Sequence, residues 1–321
     1  MGPMGLGTVA GTGLLSCTVV IPTRGRPTML ADCLESIARS DYPLDLLDVV
    51  VVDDGDAGDT RTAAAVDAVR DRLDVSLRAT NGRGPSAARN LGASEARGTI
   101  LLFTDDDCRA DTQWLRSLSL SIRNAPTTGA GGRIVNRLGD NRWSAASQRV
   151  IDMVYAYYNA DPAQATFLAS NNLAVHADAF RELGGFDERF RWAEDRDFCR
   201  RWLVAGRELI YVPTAIVEHA HQLTGQGFVR QQFSYGRGAF HFHRAAGRNG
   251  DSQARRTRGF YADVPRLARR VVQQEGAAGG GKWIARVALE IGGWQLANAA
   301  GFAWEAMRAQ RAAGPRRSNR A

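Results

Sequence analysis

Residues 17–54 read CTVVIPTRGRPTMLADCLESIARSDYPLDLLDVVVVDD, and the pattern of this stretch decides the fold. Two β-branched runs, CTVVIP and DVVVVDD, bracket PTMLADCLESIARS, where Leu30, Leu34 and Ile37 recur on one helical face and Pro27 suits the first helical turn. Strands that are apolar throughout, instead of alternating, belong to a sheet covered on both faces, as in parallel βαβ units. The pattern repeats outward through VSLRAT and TILLFTDDD, so the first third of the chain reads as an α/β sheet. Ligands of such sheets gather at the carboxyl ends of the strands. Polar residues stand there: Thr23 and Arg24 after the first strand, Asp53 and Asp54 after the second, Asn81 after the third, and Asp105, Asp106 and Asp107 after the fourth.

The chain has 321 residues, 44% hydrophobic and 23% charged, enough for one large or two modest domains. Cys17, Cys33, Cys108 and Cys199 are scattered without a CxxC pair, so neither a zinc site nor a disulfide framework is expected and the thiols should pack in a reducing compartment. The opening MGPMGLGTVAGTGLL lacks the basic start, apolar core and cleavage site of a signal peptide; residues 1–14 read as a flexible leader, and secretion is not expected. The net charge of +7 leaves open nucleic acid, anionic lipid or a phosphorylated substrate. Its distribution is uneven: Asp is concentrated before residue 110, and the surplus Arg follows Arg244, ending in RAAGPRRSNRA.

Residues 15–225 read as one α/β domain, with a nucleotide-binding half over 15–110 and an acceptor half over 111–225 in which GGRIVN, NNLAV and LIYVP extend the sheet. Residues 226–311 read as helical, interrupted at GRNGDSQARR and EGAAGGGKW, and 312–321 as a basic tail. The last long segment, WIARVALEIGGWQLANAAGFAWEAM, is too interrupted by charge and glycine for a bilayer span and suits a packed or interfacial helix.

Three adjacent carboxylates raise one another's pKa unless a cation neutralises them, and Mg²⁺ or Mn²⁺ is commonly held by one or two carboxylates plus substrate phosphates. If the strand persists, Asp105 and Asp107 share a side and could hold a metal-bound diphosphate; a solvated acidic loop or helix cap is the plainer alternative. In WAEDRDFCRRWL, a helix from Ala193 places Asp195 on one face with Phe198, Cys199, Trp202 and Leu203, turning a carboxylate inward. Such a group could accept a proton from a hydroxyl, although Glu194 or Asp195 could equally cap the helix. His219, beside His221, could ligate a metal or be structural. GRGPSA at 82–87 fits G-x-G-x-x-G/A but lies at the third βα turn instead of the first, and GAAGGGKW lacks both the hydroxyl residue and the preceding strand of a P-loop.

Taken in order, VVIPTRGRP, VVVVDDGD, GPSAARNLGASEARG, LLFTDDD followed by WL, NNLAV, LGGFDERF and EDRDFCRRW resemble a bacterial-type, non-processive family 2 glycosyltransferase across residues 17–221. The resemblance implies a GT-A fold, a Rossmann-like, mixed and mostly parallel sheet flanked by helices with a C-terminal helical extension. It implies an inverting, metal-assisted enzyme, taking Mg²⁺ or Mn²⁺, that moves a sugar from a nucleoside-diphosphate donor to an acceptor nucleophile. By position, Pro22, Thr23, Arg24, Asp53, Asp54, Arg89, Asp105, Asp106 and Asn172 would bind the donor, with Asn171 beside it. Asp107, Asp105 and His219 would serve the metal. Asp195 would be the general base, with Glu194 its neighbour. The Q-x-x-R-W motif of processive synthases is missing, and Arg230 or Arg237 in RQQFSYGRGAF would meet the departing diphosphate.

The unpaired cysteines and the missing signal segment lead us to expect a cytoplasmic enzyme, and no nucleic-acid partner is expected. The acceptor, whether saccharide, lipid-linked or small metabolite, is open, and the apolar, basic C-terminal region is compatible with peripheral contact at the inner face of a membrane. A sugar nucleotidyltransferase would need a glycine-rich triphosphate loop that PTRGRP does not supply. A noncatalytic basic binding protein would leave the acidic strand ends unexplained.

Overall fold

The computed structural model describes residues 13–55, 60–247, 252–275 and 280–312. Most of the leader, parts of both helix interruptions and all but the first residue of the basic tail lie outside the described residues. In chain order the elements are β1 (Cys17–Thr23), α1 (Pro27–Ala38), β2 (Leu47–Asp53), α2 (Thr60–Asp67), β3 (Asp74–Ala79), α3 (Pro85–Ser94), β4 (Ile100–Phe103), β5 (Cys108–Ala110), α4 (Trp114–Ile122) and β6 (Thr128–Asn136). There follow α5 (Arg142–Tyr158), β7 (Leu173–His176), α6 (Ala177–Leu183), α7 (Glu194–Val204), β8 (Glu208–His219), α8 (Gly225–Gly247), α9 (Ser252–Glu275) and α10 (Gly280–Ala312).

The chain divides into two compact units, residues 1–139 with 155–221, and residues 140–154 with 222–321. The first is built on one sheet in the order β3-β2-β1-β4-β7-β6-β8-β5. β3, β2, β1 and β4 run parallel, β7 is antiparallel to β4 and β6, and β6 and β8 are parallel. The sheet is therefore mixed and mostly parallel, as expected. Every residue of β1 is buried, which is why its run reads apolar without alternation. Helix α3 approaches β1 and β2 so closely that a Cβ on Gly92 would lie 2.4 Å from a Val20 methyl. On β4, Phe103 packs with Phe180, Phe186, Phe198 and Trp202 in a core that carries α6 and α7.

The sheet brings three strand ends to one place. β1 ends beside β4, and β4 stops at Phe103, so Asp105, Asp106 and Asp107 sit in the turn to β5. That corrects the expectation that Asp105 and Asp107 share a side: without a continuing strand there is no two-residue alternation. β5 then pairs with β8 with Cys108 opposite His219, and the Ala220 N–H donates to the Asp107 carbonyl at 2.9 Å. This short pairing carries His219 to the acids.

The second unit contains α8, α9, α10 and the part of α5 before residue 155. In it, α8 and α10 touch through backbone: a Cβ on Gly236 would lie 1.9 Å from the Asn298 carbonyl oxygen, and one on Gly301 would lie 1.9 Å from that of Phe233. The acids on the inner side of α10 are neutralised. Glu290 accepts from Arg142 and Arg149 at 2.8 Å and from Arg286 at 3.0 Å, and Glu305 accepts from Arg237 at 2.6 Å. None of the described helices is long and apolar enough to cross a membrane.

Candidate active site

The turn after β4 fans its acids in three directions. Asp106 is fully buried: the Thr23 hydroxyl donates to it at 2.7 Å, and the Arg26 guanidinium lies 2.6 Å from its other oxygen. Burial pushes its pKa up to about 6, against the pull of Arg26 and Thr23. Asp106, expected by position to bind the donor, thus pins the turn to the end of β1.

Asp107 faces β8. Its Oδ1 lies 3.1 Å from His219 Nε2, and Arg26 donates to its Oδ2 at 2.7 Å. Burial alone would raise its pKa, but the imidazole contact and Arg26 override this and hold it well below the usual carboxylate range. His221 lies against His219 with ring centroids 3.6 Å apart and planes tilted by 50°, and burial together with His219 lowers its pKa to about 3, so it is neutral at physiological pH.

Asp105 turns instead to Arg89, which donates to it at 2.6 Å through Nη2 and to Glu194 at 3.1 Å through Nη1. Arg89 is buried, with its guanidinium 5.8 Å from the Phe186 ring centroid. It was expected to face base or diphosphate; its place between two carboxylates makes it the bridge between the strand-end acids and the start of α7.

Ala193, the residue before α7, holds a left-handed backbone at φ 66°, a conformation strained for a residue with a Cβ. That turn delivers Glu194 and Asp195 side by side into the site, and Phe198, Cys199 and Trp202 are buried as the helical spacing requires. Burial, with the neighbouring Asp195 charge, pushes Glu194 up to about 7; burial likewise raises Asp195, against the Arg196 N–H, which donates to its Oδ1 at 2.7 Å. Two adjacent carboxylates displaced upward are suited to proton transfer near neutral pH.

Several residues expected to bind the donor have structural partners of their own. Asp54 accepts from the Thr80 hydroxyl at 2.7 Å and from the Gly84 N–H at 3.0 Å, which ties the GRGPSA loop to β2. Asn172 is fully buried and accepts from Trp114 Nε1 at 2.8 Å while donating to the carbonyls of Arg133 and Ala215. These bonds engage its amide at both ends, so Asn172 staples α4, β6 and β8. Pro22 is buried within β1 opposite Val52, whereas Asp53 is half-buried and its carboxylate accepts from the Gly55 N–H at 2.7 Å. Arg24 is exposed, 3.8 Å from Asp54. Arg237 belongs to the second unit, paired there with Glu305.

Arg26 was missed. Gly25 adopts φ 63°, which reverses the chain so that Arg24 points out and Arg26 folds back over the acids. The available signal was TRGR in a βα turn; its partners, 80 residues away in sequence, were not visible.

Among the described residues, Asp107, Cys108 and His219 form a group whose potential ligand atoms lie within 4.8 Å of one another. Asp105 is not part of it. Burial pushes the Cys108 thiol well up, so it stays protonated and is a poor partner for a hard cation. The carboxylate and imidazole pair that remains could hold a divalent cation.

A model of glycosyl transferase family 2 matches residues 18–184. A pre-mycofactocin glycosyltransferase of Mycobacterium tuberculosis is 30% identical over 224 residues, covering 68% of this chain and 46% of that protein, so the chain spans about half the length of this relative. The glycosyltransferase AglE of Haloferax volcanii is 25% identical over 222 residues, covering 69% of this chain and 72% of that protein. Among solved structures, the mannosyltransferase PcManGT of Pyrobaculum calidifontis, in complex with GDP-Man and Mn²⁺, superposes with a TM-score of 0.63 at 20% identity over 92% of this chain and 88% of that one. At this identity the likeness is one of fold, and the fold is GT-A.

Proposed function

The chain belongs to glycosyl transferase family 2, and from that premise we propose that it transfers a sugar from a nucleoside-diphosphate donor to an acceptor hydroxyl with inversion at the anomeric carbon. The observation that carries this reading is the arrangement around Arg89, where one buried guanidinium links Asp105 at the end of β4 to Glu194 at the start of α7. Strand-end acids and a carboxylate pair of raised pKa thus share one site.

Asp53 and the exposed Arg24, at the ends of β2 and β1, would bind the nucleoside. Asp107 and His219 would hold a divalent cation. Bound there, Mn²⁺ would supply positive charge to the leaving diphosphate, the kind of transition-state stabilisation that dominates such displacements. Arg26 is the chain's own cation at this point and can turn from the acids to the diphosphate when they are otherwise neutralised. Asp195 takes the proton of the attacking hydroxyl; burial raises its pKa and so keeps it basic enough to do so, with Glu194 beside it. A direct displacement of this kind inverts the carbon and needs no protein nucleophile. The nucleotidyltransferase and noncatalytic readings draw no support from a family 2 match.

The test is a panel of nucleotide sugars, each incubated with candidate acceptors and Mn²⁺ and assayed for release of nucleoside diphosphate. Wild-type protein should release it from one donor class. Asp195→Asn should bind that donor as tightly and lose turnover by about 10²- to 10⁴-fold, the usual range for a general base. Full turnover by Asp195→Asn would overturn the assignment of the base.

A further inference from the structure

Helix α10 is apolar on the side it exposes. Between residues 284 and 307 its exposed residues are Ile284, Leu289, Leu296, Trp304, Met307 and five alanines, with no charged or polar residue among them. Leu289 and Leu296 are each 75% exposed. At 100° per residue, Ala285, Leu289, Leu296, Ala300, Trp304 and Met307 fall in a single stripe within about 60° either side of Leu289. Lys282 continues the same line before it and Arg311 after it, both exposed. The opposite side of the helix is already committed: Val287, Glu290, Trp294, Asn298, Gly301 and Glu305 are buried within the second unit, against α8 and its ion pairs. A helix already packed along one side that also exposes a contiguous apolar stripe on the other presents a surface suited to covering by something else.

We infer that this stripe is a docking surface for an anionic lipid bilayer, on which α10 lies in the plane of the headgroups. The charge around it selects the occupant. Residues 222–321 carry 17 Lys and Arg against 5 Asp and Glu, a net of +12 in a chain whose total is +7. Arg269 and Arg270 of α9 add exposed cations in the same unit. In a symmetric pairing of two copies along the stripe, antiparallel or parallel, the terminal Lys282 and Arg311 would meet cations, with no exposed acid on the stripe to receive them. Anionic headgroups satisfy both ends, while Leu289, Leu296 and Trp304 enter the acyl boundary. Residues 285–307 span about 34 Å at 1.5 Å per residue, and a stripe of that length binds flat.

The experiment is vesicle flotation of the full chain with phosphatidylcholine alone and with phosphatidylcholine containing about one-third phosphatidylglycerol. The expected result is association with the anionic vesicles, weakened at least about tenfold by Lys282→Glu/Arg311→Glu and by Leu289→Gln/Leu296→Gln. The charge variant is the second line of evidence should the apolar variant misfold. Both variants should retain wild-type circular dichroism, because the altered side chains are exposed. Absence of binding to anionic vesicles, equal binding to neutral ones, or binding that ignores both variants overturns the inference. So does a dimer in sedimentation velocity that Leu289→Gln/Leu296→Gln dissociates, which would assign the stripe to a second copy of the chain.

Discussion

Replacing Arg89 with Met tests whether one guanidinium neutralises both halves of the site. Its contacts to Asp105 and Glu194 are 2.6 and 3.1 Å, and the side chain is 4% exposed. Two unit charges about 4 Å apart at an effective dielectric of about 20 attract by about 4 kcal/mol, from which the cost of burying them must be subtracted. Removing one partner of a buried pair costs about 3–5 kcal/mol, because the other is left uncompensated. The loss should depend on pH. Glu194 already sits near 7 with Arg89 present, and without it the value rises further. A carboxyl whose folded pKa lies above its unfolded value loses stability as pH rises from the unfolded value through the folded one. Arg89→Met should therefore cost about 3–5 kcal/mol at pH 8 and less at pH 6, where Glu194 is protonated, with a difference that approaches about 1.4 kcal/mol at most, because pH 8 lies only about one unit above the Glu194 value. Urea unfolding at the two pH values, without metal or nucleotide, reads this directly. A loss below about 1 kcal/mol, or one equal at both pH values, would refute the bridging role.

Arg26→Ala removes the cation that Asp106 and Asp107 now share, so Mn²⁺ affinity measured calorimetrically without nucleotide should rise by about two- to tenfold, a range discounted for the guanidinium's partial exposure; unchanged affinity would mean that Arg26 does not compete. Turnover should show an acid limb above the usual carboxylate range, gained as the Glu194 and Asp195 pair deprotonates. Glu194→Gln should move that limb to lower pH by removing the like charge beside Asp195, and a limb that stays in place would assign it elsewhere.

The sheet was legible because buried parallel strands leave continuous apolar runs, and every residue of β1 and the first six of β2 are indeed buried. The inward face of α7 was legible for a similar reason, since Phe198, Cys199 and Trp202 keep helical spacing. Individual roles at the strand ends were harder to read. Asp54 and Asn172 have the residue types of ligand-binding groups, but their partners, Thr80, Gly84, Trp114, Arg133 and Ala215, are distant in sequence and become visible only when the sheet is assembled. Asp105 and Asp107 were paired by assuming a strand that ends two residues too early. Arg26 lay in plain view, but its direction is set by the positive φ of Gly25. The short strand β5, only three residues long, carries no periodicity, yet it is the element that seats His219 beside Asp107.

The most direct test of the account is calorimetric titration of UDP and GDP into the protein with Mn²⁺ and with chelator, for the wild type and for Asp107→Ala. The account predicts binding of one nucleotide that requires Mn²⁺ and is lost in Asp107→Ala. Binding that is equally tight in chelator, or that survives Asp107→Ala, would contradict it.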